Sequence, residues 1–161
     1  MQLLSCTIWV YHVRMMHIVS IVACALLVQH GSAQLPVVTI TADDTVIDSS
    51  CRVVIPDGLI IEDTNGNGVL HIESDGVEIT FEAGSVLRGA SPETDLDQLK
   101  GTGVVVRGCK GVKLHNLRVS GFKVGVLVQE VEGFVLRGGH FEGNFAQHLR
   151  STTEKEDAID W

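Results

Sequence analysis

Basic side chains are scarce in this sequence, with 12 Lys and Arg against 20 Asp and Glu among 161 residues. Arg14 is the only basic one before Arg52, and no acidic residue precedes Asp43. The chain beyond its first segment therefore sets 11 basic against 20 acidic groups. Such a balance disfavours nonspecific binding to phosphate backbones, which needs a basic surface. Aromatic and basic residues do not interleave, so no stacking platform for bases is offered and nucleic acid is not an expected partner. Helical periodicity is missing too. A βαβ fold needs roughly 10–15 residues of helical pattern between strands, and none is present. Phosphate loop, zinc-ligand spacing, nucleophile elbow and dinucleotide fingerprint are all absent, which removes the enzyme classes that those motifs announce.

The apolar run at residues 18–28 is shorter than the roughly 20 residues of a membrane-spanning helix. It follows Arg14, Met15, Met16 and His17 and precedes Gly31-Ser32-Ala33, small residues of the kind a signal peptidase reads. This pattern predicts an export signal over residues 1–33, cleaved after Ala33, and a secreted or periplasmic mature chain. Tyr11, His12 and Arg14 interrupt a second apolar stretch further upstream, so the simplest account starts translation at Met15 or Met16. Ile21-Val22-Ala23-Cys24 resembles a lipobox, which leaves a lipoprotein acylated at Cys24 as the alternative. Cleavage leaves two cysteines, Cys51 and Cys109. Export permits a disulfide, but the register below sets them about two strand spacings apart, ~10 Å, beyond the ~7 Å a bridge spans. Two buried free thiols are expected.

What the sequence does contain is a repeat. Gly103-Val104-Val105-Val106 recurs 22 residues later as Gly125-Val126-Leu127-Val128, and Gly111-Val112-Lys113-Leu114 recurs as Gly133-Phe134-Val135-Leu136. Apolar residues alternate over short stretches: Val104 and Val106, Val112 and Leu114, Leu117 and Val119. Period-two alternation marks strands with one buried face. Three short strands per 22 residues, separated by glycine turns, fit one rung of a β-solenoid, whose inward residues are covered by the rungs above and below. A sandwich of hairpins is the competing architecture, but it does not require the repeat. An earlier unit begins at Gly68. Its inward residues read as Leu70 and Ile72, then Val77, Ile79 and Phe81, with a one-residue slip. It stands 35 residues before the next unit, and the 13 extra residues are assigned to a polar, acidic inserted loop at 90–102. Residues 46–47 and 53–55 suggest a first rung. Residues 147–157 read as a charged loop, and 158–161 as the start of another strand.

These strand starts, the 22-residue spacing and the export signal resemble the pectin-lyase-like superfamily of right-handed parallel β-helices, over about Thr45 to Asn144. The resemblance implies an architecture but not a reaction, because that superfamily includes polysaccharide lyases, glycoside hydrolases, epimerases and noncatalytic adhesins. Its members have more rungs than the four that residues 34–161 allow. The chain is therefore expected to correspond to the N-terminal portion of a larger protein or to a shortened reading frame.

Candidate site residues are few. Asp63-Thr64-Asn65-Gly66-Asn67-Gly68 satisfies the opening of a calcium loop, with Asp63, Asn65, Asn67 and the nearby Glu73 as oxygen donors. The twelfth position is Ser74 rather than Glu, and strands instead of helices flank the motif. A turn rich in Asn and Gly is the plainer reading. In Gly138-Gly139-His140-Phe141-Glu142-Gly143-Asn144, an inward Phe141 would turn His140 and Glu142 outward together, an imidazole and a carboxylate suited to acid–base work. Arg118 lies one repeat below His140, so Arg118 and His140 would form an outward column, with Lys100 or Lys123 nearby. Ordinary surface charge is the plainer reading there.

The expectation is thus an all-β, right-handed parallel β-helix (β-solenoid) of about four rungs, cut short at its C-terminal end. It would act as an exported, noncatalytic or incomplete module, a scaffold or a polysaccharide-binding surface. The alternative is the N-terminal part of a polysaccharide lyase or glycoside hydrolase, with Arg118, His140 and Glu142 as the catalytic candidates. No cofactor is expected, calcium at the Asp63 turn being the open alternative. Contact with a membrane is expected only through the export signal. The open C-terminal strand edge is expected to accept further rungs or another chain.

Overall fold

The computed structural model describes residues 34–147 and Lys155. The export signal with its Ala33 cleavage point, the Cys24 alternative, most of the 147–157 loop and the 158–161 strand lie outside the described residues. The described chain is all-β. Its strands are β1 (Val37–Thr39), β2 (Thr45–Ile47), β3 (Cys51–Val54), β4 (Leu70–Ile72), β5 (Glu78–Phe81) and β6 (Leu87–Arg88). They continue with β7 (Thr102–Arg107), β8 (Lys113–His115), β9 (Arg118–Ser120), β10 (Val124–Gln129), β11 (Val135–Arg137) and β12 (His140–Phe141). A single 3-10 turn, Leu96–Gln98, is the only helical element described. No helix among the described residues is long and apolar enough to cross a membrane.

These strands pair in parallel only, in three sheets. The first sheet runs β1-β3-β5-β8-β11, the second β10-β7-β4-β2 and the third β12-β9-β6. From β4 onward the chain visits the second, first and third sheets in that order, three times. Each passage forms a tier, and each tier hydrogen-bonds to the next, an arrangement compatible with a β-solenoid. Pairing reproduces the 22-residue step: Val126 lies on Val104, Leu136 on Leu114 and Phe141 on Val119. The earlier slip is also present, since Leu70 pairs with Val104 but Ile79 with Leu114, separations of 34 and 35 residues.

Short alternating strands fold this way because one face of each must leave water. β5 shows the pattern, with Ile79 and Phe81 buried and Glu78 and Thr80 partly exposed. The inward residues of successive tiers form one core, in which Leu70, Ile72, Ile79, Val104, Val106, Leu114 and Val119 are at most 1% exposed. One position departs from simple alternation. Val105, between the inward Val104 and Val106, is only 2% exposed, because the turn ending at Gly68 packs onto it. A Cβ at Gly68 would lie 2.4 Å from Val105 Cγ2, and its φ of +112° favours glycine.

The surplus residues of the earlier unit are not confined to one loop. Compared with the last two tiers, the turn after β4 is one residue shorter and the turn after β5 three longer. The connection from β6 to β7 is ten longer. Thr102, assigned from sequence to the inserted loop, is the first residue of β7, and Leu99 in that loop is buried. β1 had no counterpart in the sequence reading. It extends the first sheet below β3, with Val38 opposite Val53.

Cys51 and Cys109 are both free and buried. Burial raises the pKa of both thiols, and nearby acidic residues add to the effect.

If stacking between tiers supplies the core energy, depth within the stack should set mutational cost. Leu114, wholly buried between Ile79 and Leu136, should lose about 2–5 kcal/mol on substitution by alanine. Leu136, its partly exposed counterpart in the last described tier, should lose clearly less. Urea denaturation of Leu114→Ala and Leu136→Ala measures both, and equal losses would count against the stacked core.

Candidate functional site

The third sheet sets its side chains in two outward columns. Leu87, Val119 and Phe141 point inward, so their neighbours alternate outward. Arg118 pairs with His140, and Val86 precedes the paired Leu87, which gives the column Val86, Arg118, His140. On the other side of the inward row, Arg88 pairs with Ser120, and Glu142 follows Phe141. These six residues, with Val119, line a shallow groove of 150 Å³. A second hollow of 250 Å³ adjoins it, sharing Arg88, Ser120 and Glu142, and is walled by residues 90–99 of the loop between β6 and β7. The inserted loop thus folds against the edge of this face.

His140 Nε2 lies 2.9 Å from Glu142 Oε2, with side chains 51% and 75% exposed. A contact this open contributes little to stability. Among the described residues, Arg88 and Arg118 make no ion pair and no side-chain hydrogen bond. The first sheet differs. Arg52 is bound to Glu82, and Lys113 Nζ donates to Glu78 Oε2 at 3.3 Å. That Lys113 hydrogen bond, with the Lys113 charge and His115, holds the exposed Glu78 carboxyl below its usual range. On the second sheet Arg107 Nε donates to Gln129 Oε1 at 3.1 Å, one repeat above. Arg137 on the first sheet resembles the third-sheet arginines in lacking a partner. It pairs in register with His115 of β8, away from the third-sheet face.

Sequence reasoning brought Arg118, His140 and Glu142 together, and the structure has them on one face. It missed Arg88 and Ser120, which stand 32 residues apart instead of 22. The third-sheet spacing is altered by the longer turn after β5, so no constant period exposes the pair. Lys100 and Lys123, expected near the column, do not line this groove. Lys100 lines a 460 Å³ hollow with Asp63 and Gln98, which shares Ala90, Ser91, Thr94, Leu99 and Gly121 with the second hollow, and Lys123 Nζ sits 5.7 Å from the centre of the Phe145 ring. Phe141 pairs inward with Val119 but remains 44% exposed. Among the described residues no further strand covers it.

Asn144 is a further position whose role the sequence did not disclose. Its Oδ1 accepts from Phe122 N–H at 3.2 Å and its Nδ2 donates to the Val119 carbonyl at 3.1 Å, closing the turn after β9 from the tier above.

The Asp63 turn uses the oxygens of Asp63 and Asn65 internally. Asp63 Oδ1 accepts from Gly66 N–H at 2.7 Å, and Oδ2 from Thr102 N–H at 2.8 Å. Asn65 Oδ1 accepts from Asn67 N–H at 3.0 Å, while its Nδ2 donates to Asp44 Oδ2 at 2.9 Å. Glu73 stands apart from Asp63, in a groove with Asn67, His71 and Arg107. No cluster of three His, Cys, Asp or Glu suited to a metal occurs among the described residues. These bonds make the segment a self-closed turn fastened to the tier below and to β7. Asp43 anchors it. Its Oδ2 accepts from Thr64 N–H at 2.9 Å and from Thr64 Oγ1–H at 2.7 Å. Burial pushes the Asp43 pKa up, but the Thr64 bonds, the Asp44 N–H and nearby His71 outweigh it, and the net shift is downward.

A lowered native pKa stabilises the fold above the ordinary value of 3.8 and is lost as pH falls through the lower native value. Asp43→Asn should therefore lower the melting temperature near neutral pH. The gap from the parent protein should close progressively as pH drops below 3.8. A gap that stayed constant with pH would mean that the Asp43 charge does not matter.

Comparison with known protein families, with curated proteins and with solved structures finds no match, so the chemistry of the third-sheet face is judged from its own side chains.

Proposed function

We propose that the chain is about four rungs of a right-handed parallel β-helix of the pectin-lyase-like kind. In this reading it is an exported, noncatalytic module that presents its third-sheet face to polysaccharide. The observation that carries the reading is the pair Arg88 and Arg118, two guanidinium groups without protein partners on one flat face that a loop borders. A guanidinium presents a fork of donors that matches sugar carboxylates and hydroxyls. His140, Ser120 and Glu142 add further donors and acceptors along the same strip. Hollows of 150 and 250 Å³ are smaller than the roughly 300–1,000 Å³ of pockets that engulf a small molecule. A polymer lying across the tiers suits such a face better than an enclosed ligand. The second sheet's Gln129 and Arg107, which bond to each other, offer less free capacity.

A second reading draws on the His140–Glu142 contact of 2.9 Å beside Arg118. An imidazole and a carboxylate in contact are the parts of an acid–base device. In this reading the chain is a portion of a polysaccharide lyase or glycoside hydrolase. Hydrolysis of a glycoside ordinarily employs two carboxyl groups ~5–9.5 Å apart. Glu142 is the one carboxylate lining either hollow of this face, which favours the binding reading.

Affinity electrophoresis through gels containing uronate or neutral polysaccharides tests the proposal. Retardation is expected on at least one polymer. Arg88→Ala and Arg118→Ala should each weaken it by about tenfold, the worth of one charge-assisted contact. Arg137→Ala, on the first sheet, should leave it unchanged. No retardation by any polymer, or equal losses from all three variants, would sink the binding face. New chain ends appearing in the polymers would transfer support to the enzymatic reading.

A further inference from the structure

We infer that Asn67 is a site of spontaneous deamidation, while Asn65, two residues earlier in the same turn, is protected by the fold. This concerns the turn before β4 and is independent of the third-sheet face. Both asparagines precede glycine, Asn65-Gly66 and Asn67-Gly68, the sequence in which the following nitrogen is least shielded. In the reaction, the glycine nitrogen attacks Cγ of the asparagine and forms a five-membered succinimide. The peptide N–H proton goes to solvent, and the side-chain nitrogen takes up a proton and leaves as ammonia. Water then adds to either ring carbonyl and opens the ring to aspartate or isoaspartate. One water is consumed and one ammonia released, without oxidant or reductant.

Three conditions govern the first step. The side-chain amide must be free to rotate onto the next nitrogen, that nitrogen must not be committed to an acceptor, and no Cβ should stand beside it. Asn65 fails two of them. Its Oδ1 is held by Asn67 N–H at 3.0 Å and its Nδ2 by Asp44 at 2.9 Å, while Gly66 N–H is bound to Asp63 Oδ1 at 2.7 Å. Asn67 meets all three. Its side chain is exposed and makes no hydrogen bond, and Gly68 N–H has no acceptor among the described residues. Crowding at Gly68 falls on its α-carbon, where a Cβ would stand 2.4 Å from Val105 Cγ2.

The same contact explains why the reactive pair is built in. The φ of +112° and the approach of Val105 demand glycine at 68, so the fold itself keeps the residue that makes Asn67 labile. The product carboxylate would enter the groove lined by Asp44, His71, Glu73 and Arg107, adding a third acid beside one histidine and one arginine. An isoaspartate would also lengthen the backbone just before Val69 and Leu70, both fully buried.

The test is prolonged incubation of the whole chain at mildly alkaline pH, in buffer and in denaturant. Peptide mapping by mass spectrometry then scores each asparagine. In buffer, conversion at Asn67 should exceed that at Asn65 by about tenfold or more, because Asn65 must first break its hydrogen bonds. In denaturant the two rates should converge. Asn67→Gln, which would have to close a six-membered ring, should abolish the fast ammonia release while the circular dichroism spectrum stays unchanged. Equal rates at the two sites in buffer would overturn the inference. So would faster conversion at Asn65, or an Asn67 that reacts only in denaturant.

Discussion

A parallel strand in this protein satisfies its backbone only through the strands of the tiers on either side. Short strands such as β8 and β11, three residues each, have no hairpin partner, because every pairing is parallel and the chain visits at least one other sheet between any two paired strands. Unpaired buried N–H and C=O groups are costly. The chain must therefore return to each sheet in register or forfeit those bonds. Core packing follows from the same rule, since a side chain at one height meets its counterpart one tier away. Stability in such a stack is close to a sum over neighbours.

That constraint falls on strands and leaves turns free, which decides what can be read from sequence. In the last two tiers the turns have equal lengths, so the period of 22 is visible and the pairing of Val126 with Val104 follows from it. One tier earlier, the turns differ in length by one, three and ten residues while the paired strands still align. Loops tolerate such insertions because they lie on the surface. The all-β character and the inward residues were therefore legible. β1, a three-residue strand with no repeat behind it, was not, nor was the burial of Val105 under the Gly68 turn.

The candidate site divides along the same line. Arg118 and His140 share a column because the constant period joins them, and Glu142 follows by alternation. Arg88 joins them only once the irregular turn after β5 has been traversed, which sequence alone cannot do. The Asp63 segment is ambiguous for a different reason. The oxygens that suit a hard cation also suit the N–H groups of a tight turn. In this chain Gly66 and Thr102 occupy the Asp63 carboxylate, and the pattern of residue types is the same for both uses.

The third-sheet face inherits a property from its position in the stack. Arg88 and Arg118 stand on β6 and β9, within tiers whose inward residues Leu87 and Val119 are buried. His140 and Glu142 stand on or beside β12, where Phe141 is 44% exposed and Val128, on β10 of the same tier, is 40% exposed. The two arginines are therefore carried by a packed framework, whereas the imidazole and the carboxylate rest on strands with one side uncovered among the described residues. Recognition through the arginines can be preorganised by the core beneath them. A catalytic pair must be held within a fraction of an ångström by its supporting shell, so acid–base chemistry through His140 and Glu142 would require cover over this tier. Any strand that paired with β12 would stiffen the half of the face that carries His140 and Glu142.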